Sequence, residues 1–132
     1  MTTQADVRKI ALSLPGARVR EGHFGFTVEN KGKAKLFAWV WLERVHPKKP
    51  RVPCEEVLAV RVRDRVEKRE RLASEPEKLF TEPHYDGFPA VLVRLPLVSK
   101  KELRELIVNA WRCQAPAATE RATRRPRPRR PR

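Results

Sequence analysis

A chain of 132 residues is one domain by length, with room for a single core and not for two. Its 40% hydrophobic content supports a folded body, while a mean hydropathy of −0.63 and 35% charged residues point to a water-soluble one. No apolar run approaches the roughly 18 residues of a membrane span, and no signal-peptide core stands near the start, so a cytoplasmic protein with no membrane partner is expected.

The net charge of +14 is unevenly spread: seven arginines and one glutamate over 116–132 carry +6, which leaves +8 on the first 115 residues. A basic surplus on the body as well as on the tail points to nucleic acid or another polyanion, bound by phosphate neutralisation and counterion release. Such contacts position a partner without reading its base sequence.

Val7, Ile10, Ala11 and Leu14 repeat at helical spacing, and Thr3 with Asp6 forms a capping-box-like start, so a first helix is predicted over 3–14, stopped by Pro15-Gly16. Residues 18–63 read as antiparallel sheet. Phe24, Phe26 and Val28 alternate with Gly25, Thr27 and Glu29, and Asn30-Lys31-Gly32-Lys33 supplies a hairpin turn, with Asn and Gly as the residues that tolerate positive φ. Leu36–Leu42 is apolar on both faces, as in a central strand. A basic, proline-bearing loop is expected over 43–56, then a strand through Leu58, Val60 and Val62.

Asp64 caps a predicted second helix over 65–74, whose apolar content is so thin that a surface position is expected. Residues 80–85 read as irregular or edge chain, Asp86-Gly87 as a tight turn, and 90–95 as a strand. Ser99 and Glu102 form a full capping box for a last helix, with Leu103, Leu106, Ile107, Ala110 and Trp111 as its apolar face. Periodicity ends at Pro116. The pattern predicts a two-layer α+β domain over 1–115, an antiparallel sheet of about five strands packed with three helices, and a disordered Arg/Pro-rich tail over 116–132.

Three groups of residues carry candidate chemistry. Tail arginines, among them Arg124, Arg125, Arg127, Arg129 and Arg130, form either a polycationic arm or a solvated extension. Lys31, Lys33 and Lys35 near one hairpin tip, and Arg44, Lys48, Lys49 and Arg51 in the long loop, are phosphate contacts or solvated turns, with Arg61 and Arg63 contributing from a sheet face. Phe37, Trp39 and Trp41 recur at period two and are expected on one face, as a stacking platform for unpaired bases or as core; the large area of each ring favours core.

Catalysis finds no support in these motifs. No serine or cysteine sits in a recognisable nucleophile turn, no glycine-rich phosphate loop occurs, and the three histidines have no metal-ligand spacing with Cys54 or Cys113, so free thiols and neither metal nor cofactor are expected.

The opening Asp6-Val7-Arg8-Lys9-Ile10-Ala11-Leu12-Ser13-Leu14-Pro15-Gly16, the His23-Phe24-Gly25 step, the Lys35-Leu36-Phe37-Ala38 segment and the run from Thr81 to Leu95 closed by the Ser99–Cys113 helix stand in an order that resembles the MmcQ/YjbR family. The resemblance spans residues 3–115. It implies a secretion-chaperone-like α+β fold and a double-wing arrangement for DNA binding, in which the two basic hairpins act as wings. The long loop after Glu43 departs from the short turn usual in that family.

The resemblance also implies that the His23 step and the His84-Tyr85 turn approach one another at the sheet edge. A small-molecule pocket from His23, Lys35, His84, Tyr85 and Trp111 is therefore an alternative to nucleic-acid binding. The plainer reading is that His84 and Tyr85 brace a turn. A protein–protein module is a further alternative, marked by Trp39 or Trp41 on the surface.

Overall fold

The structure, a computed structural model, describes residues 1–116; the predicted tail otherwise lies outside the described residues. Six antiparallel strands form one open sheet: β1 (Ala17–Val19), β2 (Gly25–Asn30), β3 (Lys33–Glu43), β4 (Val52–Arg61), β5 (Leu79–Phe80) and β6 (Ala90–Arg94). Their spatial order is β1-β2-β3-β4-β6-β5, so β6 inserts between β4 and β5. The helices are α1 (Gln4–Leu12), α2 (Arg65–Ser74) and α3 (Lys100–Gln114).

Both predicted capping boxes hold their helices. The Thr3 N–H donates to Asp6 Oδ2 at 2.9 Å, and Ser99 and Glu102 exchange reciprocal bonds of 2.8 and 3.0 Å. The stripes of α1 and α3 then cover one face of the sheet, where Val7, Ala11, Phe26, Leu58, Leu103, Ile107 and Trp111 are fully buried. Burying each large side chain in such a layer contributes about 1.5–3 kcal/mol.

Three expectations need correction. The first concerns β3: Phe26 pairs with Ala38 while Thr27 pairs with Leu36, so Phe37 is an extra residue. A one-residue bulge reverses the facing of the residues beyond it. Phe37 and Ala38 both join the helix-side core, whereas Trp39 and Trp41 pack in a second cluster with Ala59, Leu92, Phe80 and Tyr85. The aromatic row is split by the bulge.

The second concerns the loop over 43–56. The strand β4 already begins at Val52 and pairs Val52 with Glu43, because β-branched Val52 and the extended Pro53 can lie on the ladder. Only residues 44–51 connect the strands. In the hairpin before β3 the left-handed residues are Lys31 (φ 55°) and Gly32 (φ 80°), not Asn30.

The third concerns α2, whose buried residues are the charged Glu67 and Lys68, with Leu72 as a partly buried apolar contact to the core. Glu67 accepts from the Arg63 N–H, Arg71 Nε and Asn109 Nδ2 at 2.6–2.9 Å, and Lys68 Nζ donates to the carbonyls of Tyr85 and Phe88. Hydrogen bonds to charged groups supplement the thin apolar packing here.

Candidate functional site

The strand β3 outruns its partner. Lys33–Leu36 pair with β2 alone, while pairing to β4 starts at Ala38. Beside this overhang the end of α3 is pinned by Gln114 Nε2 donating to the Leu36 carbonyl and by Asn30 Nδ2 donating to the Gln114 carbonyl. The opposite wall is the segment from the short 3-10 turn Pro83–Tyr85 to Phe88, where Gly87 takes φ 79°, a value that disfavours any side chain. Lys68 fastens that wall from beneath through its two carbonyl bonds.

Between the walls lies a hollow of about 450 Å³ lined by Ala34, Lys35, Leu36, Trp39, Arg61, His84, Tyr85, Phe88 and Gln114. A second hollow of about 270 Å³ shares Leu36, Trp39, His84 and Tyr85 with it and adds Arg20, His23, Val40, Leu42 and Arg51. The two adjoin across these shared residues and together make up a trough. Trp39, Tyr85 and Phe88 meet edge to face, with ring centroids 6.1–6.3 Å apart and interplanar angles of 73° and 87°. The Trp39 indole N–H donates to the Tyr85 hydroxyl at 3.0 Å.

No aspartate or glutamate lines the trough. Arg20, Lys35, Arg51 and Arg61 all do, and among the described residues none of these four is in an ion pair. Elsewhere Arg71 is matched by Glu67 and Lys78 by Glu102 and Glu75, while the buried Lys68 is met by carbonyls alone. Arg20 and Arg51 are steadied by carbonyls, Arg20 Nε by that of His23 and Arg51 Nη1 by that of Leu42. Burial pulls the Arg20 guanidinium somewhat below the ordinary arginine range. Arg61 lies with its guanidinium carbon 5.3 Å from the Phe88 ring centre, and its Nε is buried without an acceptor.

The sequence-predicted residues divide between the trough and the surface around it. Lys35, His84 and Tyr85 line the larger hollow, and His23 lines the smaller one with His84 and Tyr85. Trp111 lines neither: it is fully buried under α1 and donates its indole N–H to the Pro15 carbonyl. Large apolar area inside a helix stripe outweighs any role at the surface. Lys31 and Lys33 are exposed at the β2–β3 tip, and Arg44, Lys48 and Lys49 are exposed in the β3–β4 turn. These two groups stand at opposite ends of β3 rather than side by side. Arg63 is exposed and paired with Asp64 at 3.3 Å. Arg124, Arg125, Arg127, Arg129 and Arg130 lie outside the described residues.

Sequence reading did not single out Arg20, Phe88 or Gln114. Phe88 comes directly after the Asp86-Gly87 turn and could have been noticed there, but nothing in the local pattern marks Gln114, which reaches the trough only because α3 runs to the end of β3. Neither Trp39 nor Trp41 is a freely exposed apolar residue, whereas Phe88 is 42% exposed.

The trough offers positive charge, hydrogen-bond donors and flat aromatic surface. Cys54 and Cys113 are free thiols, both pushed up by burial and so poor nucleophiles. Among the described residues no three His, Cys, Asp or Glu side chains gather as a metal site, and no helix is long and apolar enough to cross a membrane.

Comparison with known proteins agrees with this architecture. A crystal structure of a Deinococcus radiodurans protein with a DUF419 domain superposes with a TM-score of 0.61 at 21% identity, covering 84% of this chain and 77% of that one, which shows a shared fold. Uncharacterised proteins of Mycobacterium bovis and Mycobacterium tuberculosis are 38% identical over 125 residues, covering 88% of this chain and 91% of theirs. A family model described as YjbR matches residues 12–113. The chain therefore belongs to the YjbR family.

Proposed function

We propose that this protein is a nucleic-acid-binding module that holds phosphates along the open face of its sheet. One observation carries the reading: Lys35 and Arg61 line one hollow, Arg20 and Arg51 line the adjoining one, and no carboxylate lines either. Lys31 and Lys33 extend the positive charge at the start of β3, and Arg44, Lys48 and Lys49 beyond its other end. A polyanion lying along β3 meets cations over its whole length. Binding then arises from phosphate neutralisation, with each contact contributing about 0.9 to the salt slope on a duplex and little base readout. The tail arginines add non-specific reach, and the expected partner is DNA.

The test is fluorescence anisotropy of a labelled short duplex, across a salt series, against the full chain and a chain ending at Pro116. Both should bind with a clear salt slope. Reversing Lys31, Lys33, Lys48 and Lys49 to glutamate should remove binding by the shorter chain. Binding by the full chain alone, indifferent to those reversals, assigns the affinity to the arginines after residue 116 and refutes a role for the folded body.

A second reading, a small-molecule module, draws support from the hollow beside Lys35 and His84. Its volume of about 450 Å³ is that of a ligand site, and a surface that only tracks phosphates needs no such concavity. Saturable binding that survives loss of the tail and of the hairpin lysines would favour it.

A further inference from the structure

We infer that the larger hollow is a nucleotide subsite, taking one unstacked base together with its phosphate. The inference rests on the nucleic-acid reading and names what the larger of the two hollows accepts.

Three features of the hollow converge on that ligand. Trp39 and Tyr85 each meet Phe88 edge to face and neither is stacked on it, so a planar group entering the hollow meets ring faces other than the Phe88 face that Arg61 covers. Phe88, the most exposed of them at 42%, lies at the rim. Stacking of a base on such rings is sequence-tolerant because every base has a π face. Next, Arg61 has a buried Nε with no acceptor and no carboxylate in reach among the described residues. Its guanidinium therefore lines the hollow without a counter-charge, and an anionic oxygen can meet it with a charge-assisted bond. Lys35 lines the same space and can meet a second phosphate oxygen. Finally, Gln114 spends its Nε2 on the Leu36 carbonyl, which leaves its amide oxygen as an acceptor for a base amine. A simple anion would use the cations and leave the rings and the amide idle; an apolar ligand would leave Arg61 unmet. A base with its phosphate uses all of them, and a volume of about 450 Å³ admits one nucleotide rather than a stacked pair.

A free nucleotide and one residue of a single strand share this chemistry. Full-length ¹⁵N-labelled protein is therefore titrated with adenosine 5′-monophosphate, ribose 5-phosphate, a short single-stranded oligonucleotide and a duplex, with side-chain N–H signals read by NMR. The monophosphate should shift the Trp39 indole and Gln114 amide signals saturably. Arg61→Gln should weaken it about tenfold, while Arg8→Glu, at an exposed position of α1 outside the trough, leaves it unchanged. Phe88→Ala, at an exposed position, should lower affinity with the fold intact by amide spectrum. Tighter binding of the single strand at the same signals identifies a strand as the source; no gain over the monophosphate identifies a free nucleotide. Equal binding of ribose 5-phosphate, or shifts confined to Lys48, Lys49 and the tail, overturns the inference. Duplex binding that persists while the monophosphate fails leaves the phosphate-tracking reading standing without the subsite. Monophosphate binding that persists while duplex binding fails does the reverse.

Discussion

The indole N–H of Trp39 on β3 donates to the hydroxyl of Tyr85 across 3.0 Å, joining residues 46 positions apart. This bond ties the floor of the trough to its wall, since Tyr85 belongs to the segment that ends at Phe88 and has its own carbonyl held by Lys68. Replacing Tyr85 with phenylalanine keeps the ring and strips the acceptor, leaving a half-buried indole donor unmet. The expected loss is about 1 kcal/mol, read as a lower urea midpoint with an unchanged slope.

Lys68 is the second tie. It is 7% exposed, and it has no ion-pair partner among the described residues. Burial lowers its pKa below the ordinary lysine range, and Asp86 opposes this only in part. Because the folded value is depressed, the charged form opposes folding at neutral pH. That cost is relieved as pH rises through the folded value toward about 10.4, the unfolded one. Lys68→Met should loosen residues 85–88, seen as faster amide exchange there. The stability advantage of the native chain over Lys68→Met should widen between neutral and alkaline pH; a flat difference would count against the buried ammonium.

How far these ties could be read from the sequence depends on distance along the chain. The caps at Thr3 and Ser99 involve partners three residues apart, and their helices emerge from local spacing. The bulge at Phe37 leaves no local trace, yet it decides that Trp39 faces the trough and Phe37 the core. The inner face of α2 escaped because periodicity counts apolar side chains, and this helix turns Glu67 and Lys68 inward. The trough itself draws on β1–β2, β3, the end of β4, the 83–88 segment and the end of α3. Only the insertion of β6 between β4 and β5, and the overhang of β3, bring those pieces together.

Glu67 gives the acid counterpart of Lys68. Burial alone would raise its pKa, but bonds from the Arg63 N–H, Arg71 and Asn109 more than reverse that and hold it below the ordinary range. A depressed carboxylate stabilises the fold above its unfolded value of about 4.3, and the contribution is lost as pH falls through the folded value. Glu67→Gln should cost about 1–2 kcal/mol at neutral pH. The difference from the native chain should shrink below pH ~4. Urea titrations at neutral and acid pH check both parts.

Lys31 holds φ 55°, the one positive value at a non-glycine position among the described residues. Asparagine suits the left-handed region better than lysine does. Lys31→Asn should therefore raise stability by several tenths of a kcal/mol while removing one cation from the β2–β3 tip. Thermal melting should shift up as duplex affinity shifts down. A fall in both would mean that the lysine side chain supports the turn.

The two basic tips make a prediction about length. The strand β3 has 11 residues, at most about 33 Å from end to end at a rise near 3.3 Å. Lys31 stands just beyond one end, where Lys33 is the first residue of the strand, and Lys48 and Lys49 stand beyond the other. A duplex advances about 3.4 Å per base pair, so about ten pairs are needed before one molecule can touch both tips. Affinity of the chain ending at Pro116 should climb steeply up to that length and then only in proportion to the number of sites. Reversal of the lysines at one tip should reduce the salt slope on a long duplex. On a five-pair duplex, which reaches only one tip at a time, it should remove about half the sites and leave the slope of the rest unchanged. Affinity that rises smoothly through ten pairs, with both reversals acting alike at every length, would place the phosphate contacts on one compact patch instead of along the strand.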